Sequence, residues 1–266
     1  MARLLALEWN ESEARVVVAS LHGKEAAIEQ AFSISMRPQP GSDQPVDAGQ
    51  RLAAALAARG LGRLDTLVAI GRTNIELRQL AIPPCPDEEL PDLVRFQALR
   101  EFNAMQEDWA LDFMPIDDVP DQARTVLAAA MAPEQVEQIR ETCQKAGLRP
   151  RRLVLRPCAA ASLFCRRQAD GRPRVRLLVD LLEDEADLTV IVDRKVIFLR
   201  TARLPGDPLS DGDAAQALMA EFRRTMAAVQ NQLGGRKVEA IVLCGMGPQH
   251  AALSAMIDER LGTPAE

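Results

Sequence analysis

The sequence predicts an α/β fold that uses one structural unit twice. A strand–strand–strand–helix–strand order occurs near the start of the 266 residues and again near the end. A self-contained strand–helix–strand–strand unit separates the two copies. Hydrophobic residues make up 47% of the chain, enough for a sizeable core and too many for a disordered protein.

In the first copy, Arg3–Trp9, Arg15–Leu21 and Ala26–Ser35 read as short strands, with His22-Gly23-Lys24 as a tight connection. Pro38–Pro45 has loop composition. Val46–Arg59 is rich in Ala and Leu and stops at Gly60, and Leu64–Ile70 is an apolar strand. In the last copy the strands are Arg174–Leu182, Leu188–Val192 and Val196–Leu204. The helix Asp211–Leu233 sets Ala215, Leu218, Met219, Phe222, Met226, Val229 and Leu233 on one stripe, and Val238–Leu243 follows as a strand.

Between the copies, Ile75–Ile82 is a strand closed by Pro83-Pro84, and Asp87 is the expected cap of a helix running to about Ala104. Trp109–Pro115 and Ala123–Met131 are strands. Pro133 opens a helix to Lys145 that Gly147 ends, followed by the short strand Leu153–Leu155 and a helix from Pro157 to about Gln168. The expected domains are therefore 1–73, an inserted subdomain 74–156, and 157–266.

Thirty-two Lys and Arg against 38 Asp and Glu leave a net charge of −6, and aromatics are 3% with no Tyr. Both facts argue against a general nucleic-acid binder. Five scattered cysteines without a CxxC pair indicate neither a disulfide framework nor a zinc site. No signal peptide precedes the first strand, and no apolar run approaches the ~20 residues that span a bilayer, as expected of a cytoplasmic protein. There is no GxxxxGK[ST] loop, no GxGxxG after a strand and no GxSxG around Ser12, Ser162 or Ser254. His22 and His250 read as surface side chains. No catalytic residue and no metal site is expected.

The order of elements, with particular short stretches, resembles the actin-like (ribonuclease H-like) ATPase superfamily, and within it the PilM-type pilus assembly proteins, relatives of the division protein FtsA. The matching stretches are Leu80-Ala81-Ile82-Pro83, Glu88-Glu89-Leu90, Leu93-Val94-Arg95-Phe96-Gln97-Ala98, Trp109–Phe113 and Ala146-Gly147-Leu148-Arg149-Pro150, running on into Leu155-Arg156-Pro157. Leu178-Val179-Asp180 with Leu188-Thr189-Val190 resembles the family's second phosphate hairpin. Ile241–Gly247 with Leu261-Gly262-Thr263-Pro264 resembles its adenosine strand and helix.

Against that pattern the nucleotide positions are degenerate. Where the family has Asp-Ile-Gly-Ser, this chain has Glu8-Trp9-Asn10-Glu11-Ser12; where it has Asp-Ile-Gly, Asp180 is followed by Leu181-Leu182-Glu183-Asp184-Glu185. Glycine lets backbone N–H groups close on phosphate, and both loops lack it. A carboxylate about 4 Å from a phosphate charge costs on the order of 4 kcal/mol at an effective dielectric near 20. Gly245 and Gly247 are retained. The resemblance therefore implies a pseudo-ATPase with no cofactor expected. The alternative is ATP with Mg²⁺ held by Glu8 and Asp180, in an actin-like ATPase of the FtsA type.

What the family implies is a non-catalytic cytoplasmic scaffold of a type IV pilus or type II secretion inner-membrane platform. Its partner would be the cytoplasmic peptide of a PilN-like membrane protein, with an assembly ATPase nearby and only indirect contact with the membrane. Phe96 and Leu99 lie off the apolar stripe of their helix and are the candidate partner-binding residues. By the same resemblance residues 157–266 stop before the strand and helix with which the family continues. A trimmed chain, or the soluble part of a longer GspL-like membrane protein, is an alternative expectation. A run of arginines between Arg149 and Arg176 reads either as a solvated face or as a contact for anionic lipid.

Overall fold

The computed structural model describes residues 2–23, 25–37, 47–117, 122–167, 174–182, 184–245 and 247–266. Pro38–Pro45, Glu183 and Arg172 lie outside them. The described chain divides into two compact units. The first comprises Met1–Glu76, Ala104–Leu111 and Ala130–Arg156; the second comprises Leu77–Asn103, Asp112–Ala129 and Pro157–Glu266.

The first sheet is built from β1 (Ala2–Trp9), β2 (Glu13–His22), β3 (Glu25–Ser35), β4 (Asp65–Ile70) and β8 (Arg149–Leu155), in the order β3-β2-β1-β4-β8. β1 runs antiparallel to β2 and parallel to β4, and β4 runs parallel to β8. Alternation along β2 sends Ala14, Val16 and Val18 to one face. There they join Leu5, Leu7, Val68, Leu52 and Leu56 of α1 (Ala48–Ala57), and Cys143 of α3 (Pro133–Lys145). α1 starts where Asp47 accepts from the Gln50 N–H. α3 ends where Gly147, at φ 72°, lets the Leu148 N–H return to the Cys143 carbonyl.

The second unit repeats the arrangement. β9 (Val175–Leu182), β10 (Glu185–Val192), β11 (Lys195–Arg203) and β12 (Ala240–Cys244) form a sheet in the order β11-β10-β9-β12, with two antiparallel pairs and one parallel pair. One face packs Leu177, Val179, Leu188, Val190 and Ile241 against Leu218 and Phe222 of α5 (Gly212–Val229) and Ile257 of α6 (Pro248–Leu261). Across the other face lies α4 (Arg156–Arg167), where the Arg176 guanidinium stands 5.5 Å from the Phe164 ring centroid. The duplication read from the element order is matched by β3-β2-β1-β4 and β11-β10-β9-β12, and β8 is an added strand of the first sheet.

β5 (Glu76–Ile82), β7 (Arg124–Met131) and β6 (Ala110–Pro115) form a separate three-stranded sheet, accompanied by α2 (Leu90–Glu101). Two sequence expectations differ here. The segment 74–156 is not one body: β8 is hydrogen-bonded to β4 and α3 packs on α1, which puts both in the first unit. Asp87 is not the cap of α2, which begins after Glu89 with no side-chain cap. Its carboxylate instead accepts from Arg124 at 2.5 Å, pairing with a guanidinium that is itself buried. Among the described residues no helix is long and apolar enough to cross a membrane.

Candidate functional site

In the first unit, β1 delivers Glu8 and Asn10 to the turn before β2. Asn10 folds its own side chain into that turn. Its Oδ1 accepts from the Ser12 N–H at 2.9 Å, the Ser12 hydroxyl at 2.9 Å and the Glu13 N–H at 2.8 Å, while the Asn10 N–H donates to the Glu13 carbonyl. These N–H groups, which an anion-binding loop would aim outward, are taken up by a side-chain oxygen.

Glu8 is paired as well. The Arg156 guanidinium, at the start of α4, donates to its carboxylate, and the two side chains are only 14% and 21% exposed. The same guanidinium covers Gly71 after β4: a Cβ built there would lie 3.6 Å from Nη1. The strand ends of β1, β4 and β8 therefore meet around a cation that the protein itself supplies. That corner holds an internal ion pair between Glu8 and Arg156.

In the second unit, Asp180 is opposite Asp187 on β10 and Cys244 on β12, and Asp187 is opposite Thr201 on β11. A polar row thus crosses all four strands. Asp187 is buried, and the Thr201 hydroxyl donates to it at 2.5 Å. Burial and the Asp180 charge push the Cys244 thiol up to about 11. Burial and the Asp187 charge do the same to Cys158 on α4. Both stay protonated near neutrality and are poor nucleophiles. Asp187 and Thr201 were not singled out from sequence, and Arg156 was read only as part of a matching stretch and of the arginine run. The seven-residue offset from Asp180 across a tight hairpin was the available clue for Asp187.

Gly245 and Gly247 form the β12–α6 connection with φ of 139° and 126°, a region that favours glycine. His250 packs directly on Gly245, where a Cβ would fall 2.1 Å from Nε2. Glu183, the remaining expected nucleotide-site position, lies outside the described residues. Among the described residues no cluster of His, Cys, Asp or Glu is arranged to hold a metal. A cavity of about 540 Å³ in this unit is lined by Gln79, Ile116, Thr125, Lys195, Ile197 and Gln232, and contains none of the expected site residues.

On α2, Phe96 is 58% exposed, with the Arg100 guanidinium 5.6 Å from its ring centroid. Leu99 is half-buried. The helix buries Leu90, Val94 and Ala98 instead, so Phe96 points away from its packed side.

No protein-family model and no curated protein matches the sequence. Solved structures do match. A chain of a PilM–PilN type IV pilus biogenesis complex superposes with a TM-score of 0.80 at 23% identity, over 99% of this chain and 87% of that one. The fold is actin-like. The cytoplasmic domain of EpsL, an inner-membrane component of the type II secretion system of Vibrio cholerae, gives 0.59 at 14% identity over 93% of this chain and 84% of its own. A Bacteroides thetaiotaomicron protein of actin-like ATPase fold and unknown function gives 0.56 at 8% identity over 99% and 90%.

Proposed function

We propose that the protein is a non-catalytic scaffold of a type IV pilus or type II secretion assembly platform. Its ligand would be the cytoplasmic peptide of a PilN-like inner-membrane protein, and it would sit on the cytoplasmic side of that membrane through its partner, close to an assembly ATPase. The observation that carries this reading is the near-complete superposition on a chain taken from a PilM–PilN complex. The EpsL likeness supports the same setting.

The loop chemistry supports scaffold over ATPase. The first turn closes its N–H groups on Asn10, and Glu8 already has Arg156 as its cation. No step of ATP chemistry is assigned to these residues.

Two titrations of the same preparation test the proposal. A labelled N-terminal peptide of a PilN-like protein should bind, and Mg-ATP should give no heat. Failure of peptide capture removes the scaffold reading. Micromolar affinity for Mg-ATP, abolished by Asp180→Ala, replaces it with the ATP-binding alternative.

A further inference from the structure

One end of the second unit gathers basic side chains from separate stretches of chain. Arg166 and Arg167 form the exposed last turn of α4, Arg174 enters β9, and Arg194 and Lys195 stand exposed at the β10–β11 turn. Hydrogen bonds fasten these stretches together. The Cys165 thiol donates to the Arg194 carbonyl at 3.6 Å, and the Asp193 N–H donates to the Arg174 carbonyl at 3.2 Å. The turn itself is a tight two-residue connection in which Asp193 and Arg194 take φ of 50° and 71°.

The acid inside this cluster is already matched. Arg236 donates twice to the Asp193 carboxylate, at 2.8 and 3.0 Å. Lys195 also lines the cavity that Asp117 lines. Arg166, Arg167 and Arg194 form a cationic face on a chain whose net charge is −6.

An aliphatic side chain sits within that face. Leu163 is 58% exposed and lies three and four residues before Arg166 and Arg167, hence on the same side of α4. An exposed leucine flanked by guanidiniums suits the boundary between headgroups and acyl chains, with the arginine stems on apolar surface and their heads among anions.

We propose that this face, Leu163 with Arg166, Arg167, Arg194 and Lys195, binds the anionic headgroups of a phospholipid bilayer. A nucleic acid is the less suitable polyanion, since a chain with 3% aromatics and no Tyr has little on which to stack bases. The proposal stands on this geometry alone and does not depend on the peptide-binding reading.

The test is co-sedimentation of the full chain with vesicles of phosphatidylglycerol and, separately, of phosphatidylcholine. The expected result is binding to the former only, lost near ~0.5 M salt as screening shortens the reach of the charges. An Arg166→Gln/Arg167→Gln variant should bind roughly tenfold or more weakly, at about a kilocalorie-scale factor per basic residue. Arg194→Asn, in a turn whose left-handed φ asparagine tolerates, gives a second variant should the first fail to fold. Leu163→Ser should weaken binding while leaving its salt dependence unchanged. Equal binding to both vesicles, no binding to phosphatidylglycerol, unchanged affinity of the folded arginine variants, or full competition by inorganic phosphate would overturn the proposal. Binding to single-stranded RNA without binding to vesicles would overturn it too.

Discussion

Arg156 donates to Glu8 where β1 and β8 of the first sheet end, with its guanidinium lying over Gly71 at the end of β4. The pair ties residues 148 positions apart in sequence. Its side chains are mostly buried, so a charge-assisted hydrogen bond here keeps more of its strength than one on the surface. Arg156→Ala should cost about 2 kcal/mol of stability in urea denaturation, and Glu8→Gln about 1 kcal/mol, since the amide still accepts. A double-mutant cycle should give a coupling above about 1 kcal/mol. Additive effects would show that the two residues act separately.

Gly49 makes the close contact between α1 and α3. A Cβ at this position would fall 2.6 Å from the Lys145 Cβ and 2.9 Å from the Thr142 carbonyl oxygen. Replacing a helical glycine with alanine ordinarily gains up to ~1 kcal/mol. Here the clash meets backbone and the root of a side chain, and overpacking of that kind costs roughly 1–3 kcal/mol. The steric effect should win, so Gly49→Ala should lower the thermal midpoint. A raised midpoint would mean that α1 and α3 separate freely.

Asp47 caps α1 and also accepts from the Lys145 ammonium at 2.9 Å. The Lys145 hydrogen bond, then the Gln50 N–H, holds its carboxyl below the usual carboxylate range. The unfolded chain therefore binds the proton more readily than the folded one. The pair's stabilisation is present above the ordinary Asp pKa and is lost as pH falls through the depressed folded value. Asp47→Asn keeps the capping oxygen and removes the charge. The variant should be the less stable near neutrality, and the two stability curves should converge in acid. Curves that stay parallel down to pH ~2 would locate the effect in the cap alone.

Local chemistry was legible where local residues decide the structure. Pro133 and Gly147 bracket α3, and Asp211 caps α5, its carboxylate accepting from Asp213 and Ala214. The repeated element order was legible because each copy pairs its first three strands as consecutive antiparallel neighbours. The place of β8 was not. A parallel pair such as β4 and β8 leaves no local period, and its register joins Asp65 to Arg149 across the whole inserted stretch. The same distance hid Arg156 as the partner of Glu8. It also hid Arg124, whose buried guanidinium draws Asp87 away from the capping position that its sequence context favours. The arginine run shows the limit of reading charge along a chain. Arg149 and Arg151 both pair with Asp65 in the first unit, whereas Arg166 and Arg167 end α4 in the second.

Phe96 offers the direct test of where a partner peptide docks. Its ring is 58% exposed on α2, while Val94 and Ala98 of the same helix are fully buried. An aromatic side chain left in water beside Arg100 can supply a large contact area at little cost in conformational entropy. If it anchors an extended peptide, Phe96→Glu should weaken capture more than tenfold, roughly 1.4 kcal/mol. The thermal midpoint should hardly move, because an exposed ring contributes little to the core. Leu99→Ala, at a half-buried position one turn on, should lower both affinity and stability, which separates a docking residue from a packing one. Peptide binding that survives Phe96→Glu in a protein of unchanged stability would move the docking surface off α2.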